Sequence, residues 1–220
     1  MLVTDWFEFL ENGLPIKQNL SSMTVGVFDG VHRGHQALLK RIVSHNADYV
    51  PVVVTFRENH KTGTVKNFSK ETHTEAQRHG GELGNSDILT FERKTEILAG
   101  LGVEVLLVID FTDSFRHMKG IDFLEVLLEH GNIGFFAVGG NFRCGYQLDT
   151  GAREISGFFT SRNIPVEIVP EVMEGSLPIS SSRIRSCIAA GDLQAAQSMM
   201  GARPGAVWSD LAESWKNKLQ

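Results

Sequence analysis

Short runs of β-branched and apolar residues alternate along the chain with longer stretches in which apolar residues recur every three or four positions. The short runs predict parallel strands, several of them apolar enough to be buried on both faces, and the longer stretches predict crossover helices. The predicted strands are 23–28, 49–56, 103–109, 134–138 and 166–169. The predicted helices are 34–44, 92–99, 121–129 and 151–162. We therefore predict a doubly wound, Rossmann-like α/β fold with helices on both faces of the sheet.

The C-terminal end of this fold is predicted to be helical. Ser180 can cap one helix, Gly191 can end it in the left-handed conformation, and Asp192 can cap a second. We expect a single domain over residues 1–204, followed by a short tail at 205–220.

One stretch breaks the alternation. Residues 57–87 contain only three large apolar side chains among many polar ones and cannot supply a core. They follow the strand 49–56 directly, at the end of the sheet where open α/β folds bind ligands. Two interpretations stay open for an insertion at about 57–90: a polar lid on the substrate side, or a plain insertion.

Composition and charge exclude several classes of protein. The 21 Lys and Arg residues against 26 Asp and Glu residues give a net charge of −5, which argues against an electrostatic grip on nucleic acid or anionic membranes. No apolar run approaches the roughly 20 residues of a membrane span. The N-terminus also lacks the basic segment followed by an apolar segment that marks a signal peptide. The two cysteines, Cys144 and Cys187, form no CxxC pair. We expect a cytoplasmic protein with neither nucleic acid nor membrane as a partner.

The first chemical motif is VGVFDGVHRGH at residues 25–35. Its glycines let a backbone approach an anion, and the N–H groups of the helix that begins here point at that anion. The motif is neither GxxxxGK[ST] nor GxGxxG, so neither a P-loop nor a dinucleotide fingerprint is expected. His32 and His35 share one face of the first turn and can meet the same phosphate chain. The alternatives are two solvated histidines or a metal site, and no metal site is expected because the other histidines are scattered.

The second motif is PISSSRIR at residues 178–185. Three hydroxyls at a helix start, followed by Arg183 and Arg185, can form a second anion site. Serines at this position also cap helices without binding any ligand, and the motif alone leaves both interpretations open.

The third motif is VGGNFRCG at residues 138–145, where a predicted strand ends in a Gly-rich turn. Asn141 offers a donor and an acceptor to a base or a phosphate. A simple turn is the alternative. If all three motifs lie at carboxyl ends of parallel strands, they converge on one crevice.

The segments GVFDGVHRGH, VGGNFRCG and ISSSRIRSCIAAGDLQAAQSMMGARP resemble the FAD synthetase (FMN adenylyltransferase) module of bacterial bifunctional riboflavin kinase/FAD synthetases, within the HxGH nucleotidyltransferase superfamily. The resemblance covers about residues 23–204. It implies that AMP is transferred from ATP to FMN, with Mg²⁺, to give FAD and pyrophosphate. At neutral pH the FMN phosphate is already an anionic nucleophile, so such a reaction needs no general base.

The resemblance also implies roles for individual residues. The catalytic residues would be His32, His35 and Arg185. The ATP-binding residues would be Gly26, Phe28, Asp29, Gly30, Gly34, Asn141, Ser181 and Ser182. The flavin-binding residues would be Thr55, Phe56, Asn59, Phe142 and Arg143.

Two departures from the family pattern shape these expectations. The usual TFxPxP reads TFRENHK at 55–61, without prolines, on the flavin side. Only 16 residues follow Pro204, too few for the kinase domain that family members usually carry, so we expect a monofunctional protein with a separate source of FMN.

Two alternatives stay open: another HxGH-type adenylyl- or cytidylyltransferase with a different phosphate-bearing acceptor, and a non-catalytic flavin- or nucleotide-binding protein.

Overall fold

The computed structural model describes residues 1–57 and 87–201. The strands are β1 Leu2–Asp5, β2 Ser21–Val25, β3 Val50–Phe56, β4 Val105–Ile109, β5 Ile133–Gly139, β6 Arg143–Cys144, β7 Thr150–Gly151, β8 Val166–Val169, β9 Met173–Glu174 and β10 Leu177–Pro178. The helices are α1 Trp6–Asn12, α2 Arg33–Ser44, α3 Phe91–Gly100, α4 Asp113–Arg116, α5 Gly120–His130, α6 Ala152–Thr160, α7 Ser181–Ala189 and α8 Leu193–Met200.

Six of these strands form one sheet in the order β1-β4-β3-β2-β5-β8. All five pairings in it are parallel. The chain proceeds outward from β2 to β3 and β4, and then crosses back to add β5 and β8 on the other side of β2. In such a sheet the crevice at the carboxyl ends of the two strands where the order reverses, here β2 and β5, is the expected ligand site.

Helices cover both faces of this sheet because alternate side chains of the central strands point in opposite directions. Val53 and Leu106 belong to a core that they share with side chains of α2, α3, α7 and α8 on one face. Val54 and Leu107 belong to a second core, shared with side chains of α1, α5 and α6, on the other face. The doubly wound α/β fold predicted from the sequence is confirmed.

The structure contains each predicted strand and helix, with ends that differ by a few residues. The strand predicted at 23–28 runs from Ser21 to Val25. It stops there because the backbone turns into the left-handed region at Phe28, with φ of 53°. The sequence analysis missed β1, α1, α4 and the two-residue strands β6, β7, β9 and β10. β1 has only four residues and only two of them are apolar, so it lacks the longer apolar run by which the central strands were recognised.

The predicted end of the fold is also confirmed in its details. The Ser180 side chain caps α7, Gly191 has φ of 77°, and the Asp192 side chain caps α8. The proposed tail lies outside the described residues, as does most of the predicted insertion; residues 87–90, at its end, are described. In the part of the chain that the structure describes, no helix has both the length and the apolar character needed to cross a membrane.

Candidate active site

A cavity of about 670 Å³ opens at the carboxyl edge of the sheet, in front of β2, β3, β4 and β5. Most residues predicted for the site line it: Gly26, Phe28, Asp29, His32, Gly34, His35, Phe56, Asn141, Phe142, Arg143, Ser181, Ser182 and Arg185. Gly30 and Thr55 do not line the cavity, and Asn59 lies outside the described residues. The three motifs therefore converge on one crevice, as the topology requires.

The loop between β2 and α2, residues 26–32, has an unusual backbone. Phe28, Gly30 and Val31 all have positive φ, of 53°, 79° and 40°. Phe28 and Val31 are nevertheless completely buried, so packing offsets the strain of this conformation. A Cβ on Gly30 would also lie 3.0 Å from Ile88 Cδ1, so the position favours glycine on both counts.

The two motif histidines stack on each other at the start of α2. Their ring centroids are 3.7 Å apart, with an interplanar angle of 18°. His32 is the N-cap residue, and its Nδ1 accepts a hydrogen bond of 3.4 Å from the His35 backbone N–H. A Cβ on Gly34 would lie 3.1 Å from the His32 ring. The absence of a side chain at Gly34 thus leaves room for the His32 ring beside the first turn of α2. The N-terminus of a helix is also where an anion is favoured, so the ring lies next to a possible phosphate site.

A second helix N-terminus, that of α7, reaches the same cavity. Ser180 caps α7 by accepting a hydrogen bond of 3.2 Å from the Arg183 N–H, so this serine is a cap as well as a lining residue. Ser181 Oγ donates to the Asp29 carbonyl oxygen at 2.8 Å. The Arg185 guanidinium forms an ion pair with the Asp29 carboxylate. The second and first motifs are therefore bonded directly to each other.

Asp29, at the centre of these contacts, is 5% exposed. Its Oδ1 accepts a hydrogen bond of 2.8 Å from the Ile88 N–H. Burial raises the pKa of the Asp29 carboxyl, whereas this N–H, Arg185 and Lys94 oppose the rise. The ion pair with Arg185 thus helps to keep a carboxylate charged in a site that would otherwise favour its neutral form.

Aromatic side chains form another part of the cavity, which we call the aromatic wall: Phe56, Phe111, Phe115 and Phe123. Phe111 lies 5.1 Å from Phe56 and 5.4 Å from Phe115, measured between ring centroids. Phe115 meets Phe123 edge-on at 5.7 Å. Such a wall can hold a flat, apolar ring system next to the charged groups of the helix N-termini.

The third motif contributes polar groups whose partners lie within the fold. Asn141 Nδ2 donates to Glu171 Oε1 at 2.7 Å, and Arg143 Nε donates to the Leu148 carbonyl at 2.8 Å. Burial raises the pKa of the Cys144 thiol to about 12, so Cys144 is not suited to act as a nucleophile.

The sequence analysis assigned no role to three of the four residues of the aromatic wall, nor to Lys94 beneath the cavity. Phe111 and Phe115 follow the end of β4 at a spacing of four. Two aromatic residues just beyond a buried strand were a usable signal, because carboxyl ends of parallel strands form the ligand edge. Lys94 gave no comparable signal, since a lysine in an amphipathic helix usually belongs to the solvated face.

Comparison with known proteins identifies the family of this chain. The family model described as FAD synthetase matches residues 15–183, and the chain belongs to this family. It is 26% identical over 181 residues to a bifunctional riboflavin kinase/FMN adenylyltransferase of Listeria monocytogenes, covering 81% of this chain and 53% of the relative. It is 25% identical over 179 residues to a protein named FAD synthetase from the same species, covering 81% of this chain and 68% of the relative. The chain spans about half the length of the bifunctional relatives it matches.

A solved structure described as a macrolide-efflux protein from Streptococcus pneumoniae has the same fold. It superposes with a TM-score of 0.72 at 25% sequence identity, covering 92% of this chain and 60% of the other. The family model and the two relatives from Listeria monocytogenes confirm the family resemblance drawn from the sequence.

Proposed function

We propose that this protein is an FMN adenylyltransferase, which transfers AMP from ATP to FMN and produces FAD and pyrophosphate. The observation that carries this proposal is the composition of one cavity, in which two helix N-termini, a histidine pair and an arginine lie next to an aromatic wall. The first set of groups suits a chain of phosphates, and the wall suits a flavin ring.

The reaction requires positioning more than proton transfer. An oxygen of the FMN phosphate attacks the α-phosphorus of ATP, a new P–O bond forms, and the bond from this phosphorus to the oxygen bridging the α- and β-phosphates breaks. The electron pair leaves with pyrophosphate. Because a phosphate monoester has its second pKa at about 6, the nucleophile is already charged at pH 7. The protein then has to align the two phosphates and stabilise the charge that moves to the leaving group.

The loop and helix N-termini supply these functions in our proposal. His32, His35 and the first N–H groups of α2 contact the ATP phosphates. At the start of α7, the backbone N–H groups of Ser181 and Ser182 and the Ser182 hydroxyl bind the same chain of phosphates, because the Ser181 hydroxyl already donates to the Asp29 carbonyl. Arg185 stabilises the charge that develops on pyrophosphate. The glycines and Phe28 shape the loop, and Asn141 contacts the nucleotide.

Mg²⁺ enters this proposal with ATP. Among the described residues, no group of three or more His, Cys, Asp or Glu side chains is arranged to hold a metal ion. The Asp29 carboxylate already contacts Arg185 and the Ile88 N–H. In our proposal the Mg²⁺ ion would therefore be held chiefly by the substrate phosphates, which together with water are among its usual ligands in phosphate-processing enzymes.

The flavin lies against the aromatic wall in our proposal, with Phe142 and Arg143 on the side of the third motif. Phe56 contributes its ring directly. Thr55 is completely buried, and its hydroxyl donates to the Val27 carbonyl at 3.1 Å, so it supports the loop rather than touching flavin.

The deciding experiment incubates the purified protein with ATP, FMN and Mg²⁺ and measures FAD by HPLC and pyrophosphate by a coupled assay. We expect both products in equal amounts and neither without FMN. Parallel reactions with CTP or with other phosphate-bearing acceptors identify a different transferase of the same superfamily. Flavin binding without release of pyrophosphate would instead identify a binding protein.

A further inference from the structure

Lys94 of α3 lies behind the cavity and is only 6% exposed, although it is a lysine. Its Nζ donates to the Phe56 carbonyl at 2.9 Å and to the Val27 carbonyl at 3.3 Å. It also lies 3.4 Å from Thr55 Oγ1. Lys94 does not line the cavity, whereas Val27 and Phe56 both do. The Lys94 ammonium group therefore connects the backbones of two cavity-lining residues, Val27 and Phe56, without lining the cavity itself.

These two parts belong to different halves of the proposed site. Val27 lies in the β2–α2 loop, next to Phe28 and its left-handed backbone. Phe56 is the last residue of β3, and its ring belongs to the aromatic wall. The pairing of β2 with β3 ends at Val25 and Val54. Beyond this pair, two side chains connect the backbones: the Thr55 hydroxyl donates to the Val27 carbonyl, and the Lys94 ammonium group donates to both the Val27 and the Phe56 carbonyls.

The charge on Lys94 is energetically unfavourable in this position, which points to a specific role. Burial lowers the pKa of Lys94 to about 8, while the charges of Asp87 and Asp29 oppose the shift. Burial of this charge is offset by its hydrogen bonds to the two backbone carbonyls and by the nearby carboxylates of Asp29 and Asp87. What the two hydrogen bonds fix is the position of the Val27 and Phe56 carbonyls relative to each other.

We propose that Lys94 is a positioning residue, which fixes the distance between the β2–α2 loop and the aromatic wall so that the bound nucleotide and flavin phosphates meet in line. The identity of these substrates rests on the proposed function. Misplacing reacting groups by about 1 Å can cost about 100-fold in rate even when each substrate still binds.

The first test compares wild type, Lys94→Met and Lys94→Arg by amide hydrogen exchange and thermal unfolding. The reporters are the N–H of Gly26, bonded to the Val54 carbonyl, and the N–H of Arg57, bonded to the Ile109 carbonyl. In Lys94→Met we expect exchange at both to rise about tenfold or more, with unchanged exchange in α5 and α6 on the opposite face. Lys94→Arg, which keeps a cation and its donors, should restore part of the protection. Unchanged exchange at both reporters overturns the proposal.

The second test measures steady-state kinetics of FAD formation. We expect kcat of Lys94→Met to fall about 10- to 100-fold, while KM for ATP and for FMN each stay within about threefold. Lys40→Met, at an exposed lysine of α2, is the matched control and should leave all three values unchanged.

The outcomes separate this proposal from the proposed function. If the wild type forms no FAD, the proposed function fails, and the exchange data still decide whether Lys94 fixes the two backbones. If the wild type is active and Lys94→Met keeps its kcat, only the positioning role fails. A large fall in melting temperature together with raised KM values would show a general structural role and would also overturn the proposal.

Discussion

Arg185 of α7 forms an ion pair with Asp29 of the β2–α2 loop, although 156 positions separate the two residues in the chain. The Asp29 carbonyl also accepts the hydroxyl of Ser181, one helical turn before Arg185. The Ser181 hydroxyl and the Arg185 guanidinium are therefore both oriented by Asp29. A substitution at Asp29 can thus test the position of Arg185 without changing Arg185 itself.

The substitution Asp29→Asn keeps an oxygen for the Ile88 N–H and removes the charge that holds Arg185. We expect kcat for FAD formation to fall about tenfold or more, since a charge-stabilising donor is released from its position. Thermal stability should also fall, because the substitution leaves the largely buried Arg185 guanidinium without its counter-ion. Kinetics and thermal unfolding check both statements, with the exposed Asp48→Asn as control. A kcat within twofold of wild type would contradict the role given to the ion pair.

Gly34→Ala tests the close contact between α2 and the His32 ring. Alanine favours a helix over glycine by up to about 1 kcal/mol, so thermal stability should not fall greatly. The added Cβ, however, would lie 3.1 Å from the ring and has to displace it. We expect kcat to fall about tenfold or more. Gly157→Ala on α6 is the matched control, because a Cβ there meets nothing within 4 Å. Equal kinetics for the two variants would exclude a role for the Gly34 contact.

His32→Asn separates the two functions of His32. Asparagine is a good N-cap, so the variant should unfold at nearly the wild-type temperature, whereas His32→Ala should lose about 1 kcal/mol of stability. Both variants, and His35→Ala, should lose about 100-fold or more in kcat if the imidazoles contact the phosphates. His117→Ala, at an exposed histidine, should retain full activity. Wild-type turnover in His32→Asn would show that the histidine is only a cap.

The fold was predictable because its signals are local. Apolar runs such as Val105–Ile109 are buried on both faces and have the length of strands. Ser180, Gly191 and Asp192 mark the ends of α7 and α8 by capping chemistry that depends only on neighbouring residues. The edge strand β1 was missed for the same reason, since it is short and mostly exposed.

The phosphate-type motifs were also predictable, because each is a strand end followed by glycines or hydroxyls. The contacts between them were not. The pairing of Asp29 with Arg185 and the burial of Lys94 depend on how distant elements meet in the folded chain. Thr55 illustrates the difference: the family resemblance implied a flavin contact for it, whereas its hydroxyl donates to the Val27 carbonyl.

Phe111→Leu tests the aromatic wall. Leucine keeps an apolar side chain but loses the ring contacts with Phe56 and Phe115 and any stacking on flavin. Stacking of a planar ring on an aromatic side chain contributes about 1–3 kcal/mol, so we expect KM for FMN to rise about tenfold while KM for ATP stays unchanged. Phe7→Leu, at a ring that is 67% exposed on α1, is the control. A rise in KM for ATP alone would place the nucleotide, rather than the flavin, on the wall.

The buried Lys94 should make the stability of the protein depend on pH in the alkaline range. Its pKa is lowered from 10.5 to about 8, first by burial, so between these values the unfolded chain binds more protons than the folded one. The free energy of unfolding contributed by this group therefore rises with pH over this window, by about 3 kcal/mol in total. This contribution is measured by denaturant unfolding of wild type and Lys94→Met at pH 7 and at pH 10. The difference in the free energy of unfolding between the two proteins isolates Lys94, because the titratable groups that both proteins share cancel. We expect the wild type to gain stability relative to Lys94→Met as the pH rises, and a constant difference would mean that the Lys94 pKa is not lowered.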